Sequence, residues 1–128
     1  MGNSRMLLAV NGTLMRGLEL NPQMLEAGGV FISEAYTAPG YRLWSIRDAY
    51  PGMTRDGRRG TGIALELWEL SAGGILKLLC GEPEGLYLGK ITLADGRVVL
   101  GILAETGILM GCREITRFGG WRKYLQSK

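Results

Sequence analysis

Met6-Leu7-Leu8-Ala9-Val10-Asn11-Gly12-Thr13-Leu14-Met15-Arg16-Gly17 is the stretch on which the reading of this chain turns. The apolar run Met6 to Val10 reads as a short buried strand. It breaks into a turn bracketed by glycines and leads to a helix start at Asn21-Pro22. A strand that ends in a small-residue loop gathers backbone N–H groups at one point, and such a nest suits a carboxylate or a phosphate. The same glycines suit a plain strand-to-helix turn.

Outward from this stretch the chain reads as short elements joined by tight turns, consistent with 21 glycines in 128 residues. Asn21 as cap, Pro22 as first residue and Gly28 as stop mark a short helix. Val30–Thr37 and Tyr41–Ile46 read as strands around the Pro39-Gly40 turn and are expected to pair as a hairpin with each other. Residues 48–60 contain Pro51-Gly52, Asp56-Gly57 and Arg58-Arg59, and read as a mobile rim. In residues 62–70 Ile63, Leu65 and Leu67 alternate with Ala64, Glu66 and Trp68, the pattern of a strand. Ser71 caps a helix to about Cys80, with Ile75, Leu76, Leu78 and Leu79 as its buried face. Residues 86–93 and 98–103 flank Asp95-Gly96, a strong hairpin signal. A basic C-terminal helix carries Trp121 and Tyr124, read as a plug on the core. The expected fold is α+β, one domain over residues 1–128. It is a small six-stranded, mostly antiparallel β-barrel with peripheral short helices, closure being one way to remove exposed sheet edges.

Composition narrows the chemistry. The chain carries no histidine, so the commonest general base and metal ligand is missing. Cys80 and Cys112 belong to no CxxC motif, which argues against a zinc site, and are expected to be free buried thiols. No metal or cofactor is expected. A net charge of +3 without a basic stripe gives no case for nucleic acid. No apolar run approaches the ~18 residues of a membrane span, and no signal-like stretch precedes Met6, so a cytoplasmic location is expected. The oligomeric state is open.

Five stretches carry a family resemblance. Residues 11–17 resemble the Tyr-Gly-Ser/Thr-Leu loop of the gamma-glutamylcyclotransferase-like superfamily. Residues 37–43 (Thr-Ala-Pro-Gly-Tyr-Arg-Leu), 66–70 (Glu-Leu-Trp-Glu-Leu), 93–97 (Leu-Ala-Asp-Gly-Arg) and 114–125 (Glu-Ile-Thr-Arg-Phe-Gly-Gly-Trp-Arg-Lys-Tyr-Leu) resemble, in order, the C-terminal domain of allophanate hydrolases. The resemblance implies a barrel with a cavity at the first-strand loop. Two departures stand out. Those hydrolases carry an amidase domain ahead of this one, so amidase chemistry is expected to be absent or to come from another protein. They also carry a histidine in the first-strand loop, where this chain has Thr13; Asn11 stands where the cyclotransferases usually have Tyr.

Three functions follow as expectations. The first is a stand-alone homologue of the allophanate hydrolase domain that binds or converts a small carboxylated amide, urea or carbamate metabolite in nitrogen metabolism. Asn11, Gly12, Thr13 and Leu14 would bind one carboxylate and Arg42 another, with Tyr41, Glu66, Glu105 or water as proton source. The second is a cyclotransferase that closes 5-oxoproline, the resemblance pointing to Glu84 of Glu84-Gly85 as its acid/base. The third is a non-catalytic module that binds a metabolite or docks on an amidase or urea-carboxylase-type protein.

Overall fold

The computed structural model describes residues 4–57 and 61–128. It shows eight strands among those residues: β1 (Arg5–Val10), β2 (Val30–Tyr36), β3 (Tyr41–Ile46), β4 (Tyr50–Arg55), β5 (Ala64–Ser71), β6 (Leu86–Thr92), β7 (Val98–Ala104) and β8 (Arg113–Glu114). The helices are α1 (Asn21–Glu26), α2 (Ala72–Cys80) and α3 (Trp121–Gln126). The class is α+β, but the strands form two sheets rather than a closed six-stranded barrel. One has five strands in the order β2-β5-β1-β7-β6, the other three in the order β4-β3-β8. All pairings are antiparallel except β1 with β7. The edge strands β2 and β6 touch only at their ends, through the single bridge Thr37↔Leu93. One bridge does not zip two strands together, so the larger sheet curls without closing.

β1 and β5 lie at the centre of the larger sheet and supply much of the core: Leu8, Ala9 and Val10 from β1; Leu65, Leu67, Trp68 and Leu70 from β5. Their near-continuous apolar character fits burial on both faces. The β6–β7 hairpin turns at Asp95-Gly96 as expected, with Leu86↔Ala104 through Thr92↔Val98 in register. The other expected hairpin does not form. β2 pairs with β5 instead, and β3 pairs with β4. Pro39-Gly40 does turn the chain, but beside it Ala38 N–H bonds to the Thr92 carbonyl, carrying the chain from one sheet towards the other.

β4 replaces most of the expected mobile rim. Pro51 and Gly52 read locally as a turn, yet β4 is an edge strand, where proline's missing N–H is tolerated. Gly52 is needed for close approach. A Cβ there would lie 2.9 Å from both Ala104 Cβ and Leu109 Cδ2, where β4 packs on the end of β7. Gly52→Ala is expected to cost about 1–3 kcal/mol through overpacking, read as a lower urea midpoint with an unchanged slope. The Arg58-Arg59 pair lies outside the described residues.

The helices show which sequence signals held. Ser71 caps α2, its Oγ accepting from Gly74 N–H at 3.1 Å. Ile75 and Leu78 face the core, but Leu76 is 59% exposed, since it lies about 100° round the helix from Ile75. Cys80 is exposed and Cys112 half-buried; both are free thiols, and the expectation of two buried ones fails. Asn21 is not the cap of α1. It is the first helical residue, and its side-chain amide donates to the Leu14 carbonyl at 3.0 Å. Trp121 and Tyr124 are each 2% exposed and plug the core. The C-terminus is clasped by Asp48, which accepts from Lys128 Nζ, Ser45 Oγ and Tyr124 OH; these bonds, Lys128's the strongest, hold its carboxyl well below the usual carboxylate range. No helix among the described residues is long and apolar enough to cross a membrane.

Candidate anion-binding site

The loop that follows β1 is polarised. Its carbonyls are used up: Gly12 O accepts from Met15 N–H, Thr13 O from Leu20 N–H, and Leu14 O from the Asn21 side chain. The N–H groups of Gly12, Thr13 and Leu14 have no acceptor among the described residues. With its carbonyls engaged and three N–H groups without a protein acceptor, the loop carries a concentration of positive partial charge, the arrangement an anion satisfies. Gly12 is buried against Pro51, and a Cβ there would sit 2.6 Å from Pro51 Cδ. The loop can press on the start of β4 only because residue 12 has no side chain.

The loop residues border a cleft walled by residues 10–14, Tyr50 and Pro51 of β4, Glu82, Leu86 of β6 and Ile102 of β7. Its cavity volume is ≈ 20 Å³, room for about one water, within ≈ 300 Å³ of empty space that includes open solvent. Asn11 is 5% exposed and committed to the framework, its Nδ2 donating to the Ile102 carbonyl at 3.1 Å. That bond ties the end of β1 to β7 and fixes the cleft's back wall.

Glu82 is the carboxyl in the cleft. It is half-buried, and burial pushes its pKa above the ordinary 4.5. Its position has a local cause: Glu82 N–H bonds to the Leu79 carbonyl, so the last turn of α2 runs on through it. Ile75, Leu78 and Glu82 are spaced by three and four residues, which places Glu82 on the helix's buried face. That spacing was present in the sequence; the resemblance to the Glu-Gly pattern drew attention to Glu84 instead.

The other expected site residues lie elsewhere. Glu84 and Glu105 are exposed and do not line the cleft. Tyr41 is 1% exposed, and its hydroxyl accepts from Thr92 N–H, joining the two sheets. Arg42 pairs with Asp56 at 2.6 Å and Glu114 at 3.5 Å across the smaller sheet. Glu66 is 2% exposed and fully engaged: Oε1 accepts from Arg16 N–H and Trp68 Nε1, Oε2 from Arg16 Nε and Arg122 Nη2. With four hydrogen bonds already made to protein donors, both oxygens of Glu66 are occupied. Glu66 is therefore the anchor of the site loop, linking Arg16 at its far end to α3. Of the residues expected to act, the structure gathers Asn11, Gly12, Thr13 and Leu14 in one cleft and adds Glu82, Tyr50 and Pro51.

The allophanate hydrolase C-terminal domain model matches residues 6–126. The chain belongs to that family. A urea amidolyase from Lachancea kluyveri is 28% identical over 125 residues, covering 92% of this chain and 7% of that protein. The chain thus spans only a small part of the curated relatives it matches. Allophanate hydrolase from Kluyveromyces lactis superposes with a TM-score of 0.91 at 26% identity, over 97% of this chain and 21% of that one. A crystal structure of c4763, a uropathogenic E. coli-specific protein, superposes with a TM-score of 0.93 at 55% identity, over 96% of this chain and 97% of that one. More distant solved structures share the fold. A mouse AIG2-like protein shares it with a TM-score of 0.62 at 17% identity, over 81% of this chain and 78% of that one.

Proposed function

We propose that this allophanate hydrolase C-terminal domain homologue binds and converts a small carboxylated amide, urea or carbamate derivative in the cleft at the end of β1. The observation that carries the reading is the meeting of three unsatisfied backbone amides with one carboxyl of raised pKa. The amides of Gly12, Thr13 and Leu14 hold the substrate carboxylate. Glu82 lines the same cleft and is the proton source, burial favouring its protonated form. For an N-carboxylated substrate the step is breakage of the C–N bond to the carboxylate: CO₂ departs, the electron pair stays on nitrogen, and Glu82 protonates that nitrogen. Solvent then reprotonates Glu82. The upward shift of the Glu82 carboxyl by burial is in the direction a general acid needs. The names of the relatives, urea amidolyase and allophanate hydrolase, support a place in urea or carbamate nitrogen metabolism. The partner class proposed is an amidase or urea-carboxylase-type protein that supplies or consumes the ligand.

One observation favours a second reading. Gamma-glutamylcyclotransfer needs a carboxylate nest and one acid/base, and the cleft holds both, with Glu82 in the role the resemblance gave to Glu84. A substrate screen of the full chain separates the two. Loss of CO₂ or ammonia from N-carboxy and ureido acids, abolished in Glu82→Gln, is the expected result. Release of 5-oxoproline from γ-glutamyl amides, abolished in the same variant, would replace it with the second. Binding without turnover of either class would leave a metabolite-binding module.

A further inference from the structure

We infer that the open depression beside the β3–β4 turn is a docking surface for an acidic segment of a partner protein, held there by Arg47 and Arg113. The inference goes beyond the proposed function and does not rest on the cleft. β3 and β4 are joined by a tight turn in which Ala49 N–H bonds to the Ile46 carbonyl at 2.9 Å. Its central residues, Arg47 and Asp48, have φ of 54° and 56°, the left-handed region where glycine or asparagine is usual. Asp48 has a structural reason to stand there, since its carboxylate accepts from Ser45, Tyr124 and Lys128. Arg47 has none of that kind. Its guanidinium makes no ion pair among the described residues and lies 5.9 Å from the Tyr50 ring centroid, the outer limit of a cation–π contact. A strained residue whose side chain supports little of the fold points to a use outside it.

Arg113 joins Arg47 from β8, where it pairs with Ser45 of β3. Both arginines line one depression with a cavity volume of ≈ 670 Å³, together with Asp48, Ile108, Met110 and Tyr124. The Arg113 guanidinium also has no ion-pair partner among the described residues. It lies over the rings of Tyr124 and Phe118, at 5.6 and 5.9 Å from their centroids. Stacking uses the flat face of a guanidinium and leaves N–H groups at its edge for an acceptor. Asp48 is the one acidic residue in the lining, and Lys128 neutralises it at 2.7 Å. Two positive charges are therefore left uncompensated around one concave surface. That surface is also apolar in part. Met110 is 84% exposed and Ile108 half-buried. Arginine, methionine and aromatic side chains are the ones protein interfaces enrich. Charge complementarity thus selects a segment that carries carboxylates, and the exposed Met110 selects one with apolar side chains between them.

Amide-resolved NMR titration of the full chain tests this, with a short peptide of alternating glutamate and leucine as the probe. Its glutamine–leucine counterpart and inorganic phosphate, at matched ionic strength, are the comparisons. The glutamate peptide is expected to move the resonances of Arg47, Asp48 and residues 110–113 saturably and to leave those of Gly12–Leu14 in place. Arg113→Ala and Arg47→Gly are each expected to weaken it by about fivefold or more, and Arg113→Lys by less. Lys90→Ala, at an exposed cation on β6 outside the depression, is expected to change nothing. Arg47→Gly suits the left-handed turn, so its urea midpoint is expected to equal or exceed the parent's while binding falls. A lower midpoint in Arg47→Gly would give Arg47 a structural reason and overturn its functional one. Equal binding of the glutamine peptide would overturn the charge reading. Phosphate binding at the same residues more tightly than the peptide would make this a small-oxyanion site and overturn the protein partner. Silence of residues 47, 48 and 110–113 with the glutamate peptide would overturn the docking surface, with the cleft untouched.

Discussion

Glu66→Ala is expected to lower folding stability by about 1–3 kcal/mol, chiefly from one buried donor left unsatisfied, with a second, part-buried donor adding less. Those donors are Trp68 Nε1 and Arg16 N–H, both held by Oε1. The two guanidinium groups add less than a fully buried pair would. The Arg16 and Arg122 side chains are 44% and 39% exposed and can rehydrate, whereas the Glu66 side chain is 3% exposed. The urea midpoint reads the loss. The same variant is expected to shift the Gly12–Leu14 amides, because Arg16 is pinned within two residues of them. Loss below about 1 kcal/mol, or loss without any change at the loop, would contradict the anchoring role.

Glu82→Gln is expected to separate activity from stability. Removing a general acid lowers turnover by about 10²- to 10⁴-fold. Stability is expected to move the other way. Burial raises the pKa of Glu82 above 4.5, so the folded chain keeps a proton that the unfolded chain releases. Between 4.5 and the raised value, stability therefore falls as pH increases, and above that window the ionised, half-buried carboxylate remains a burden. Glutamine carries no such charge. The variant should match the parent in acid and exceed it near neutral pH, measured as urea midpoints across the pH range. A purely structural glutamate would show the opposite, with stability lost at neutral pH.

The sequence disclosed the features that depend on neighbours in the chain. The Asp95-Gly96 turn, the Ser71 cap and the apolar run of β1 are local chemistry, and each forms. Pairing partners were less legible. β2 finds β5 because β5, paired with the central β1 on one side, offers its other edge, a fact no turn residue at 39–40 encodes. β4 stayed hidden because Pro51 and Gly52 signal a turn unless the strand is known to be an edge packed on Ala104. At the site, the loop was readable from Gly12 and its neighbours. The role of Asn21 was not, since an asparagine before a proline is a common cap and only the fold directs its amide to Leu14. Glu66 was ambiguous for a similar reason. The alternation in β5 suggests burial of one face or the other, but only the fold brings Arg16 and Arg122 to it from opposite ends of the chain.

The central claim is that Glu82 and the Gly12–Leu14 amides form one anion site. It is tested most directly by following the Glu82 side-chain carboxyl carbon by NMR through a pH titration, with and without saturating acetate. Glu82 is expected to titrate above 4.5, and higher again with acetate, because a bound anion favours the protonated carboxyl. A titration at the ordinary glutamate value that acetate does not move would contradict the account.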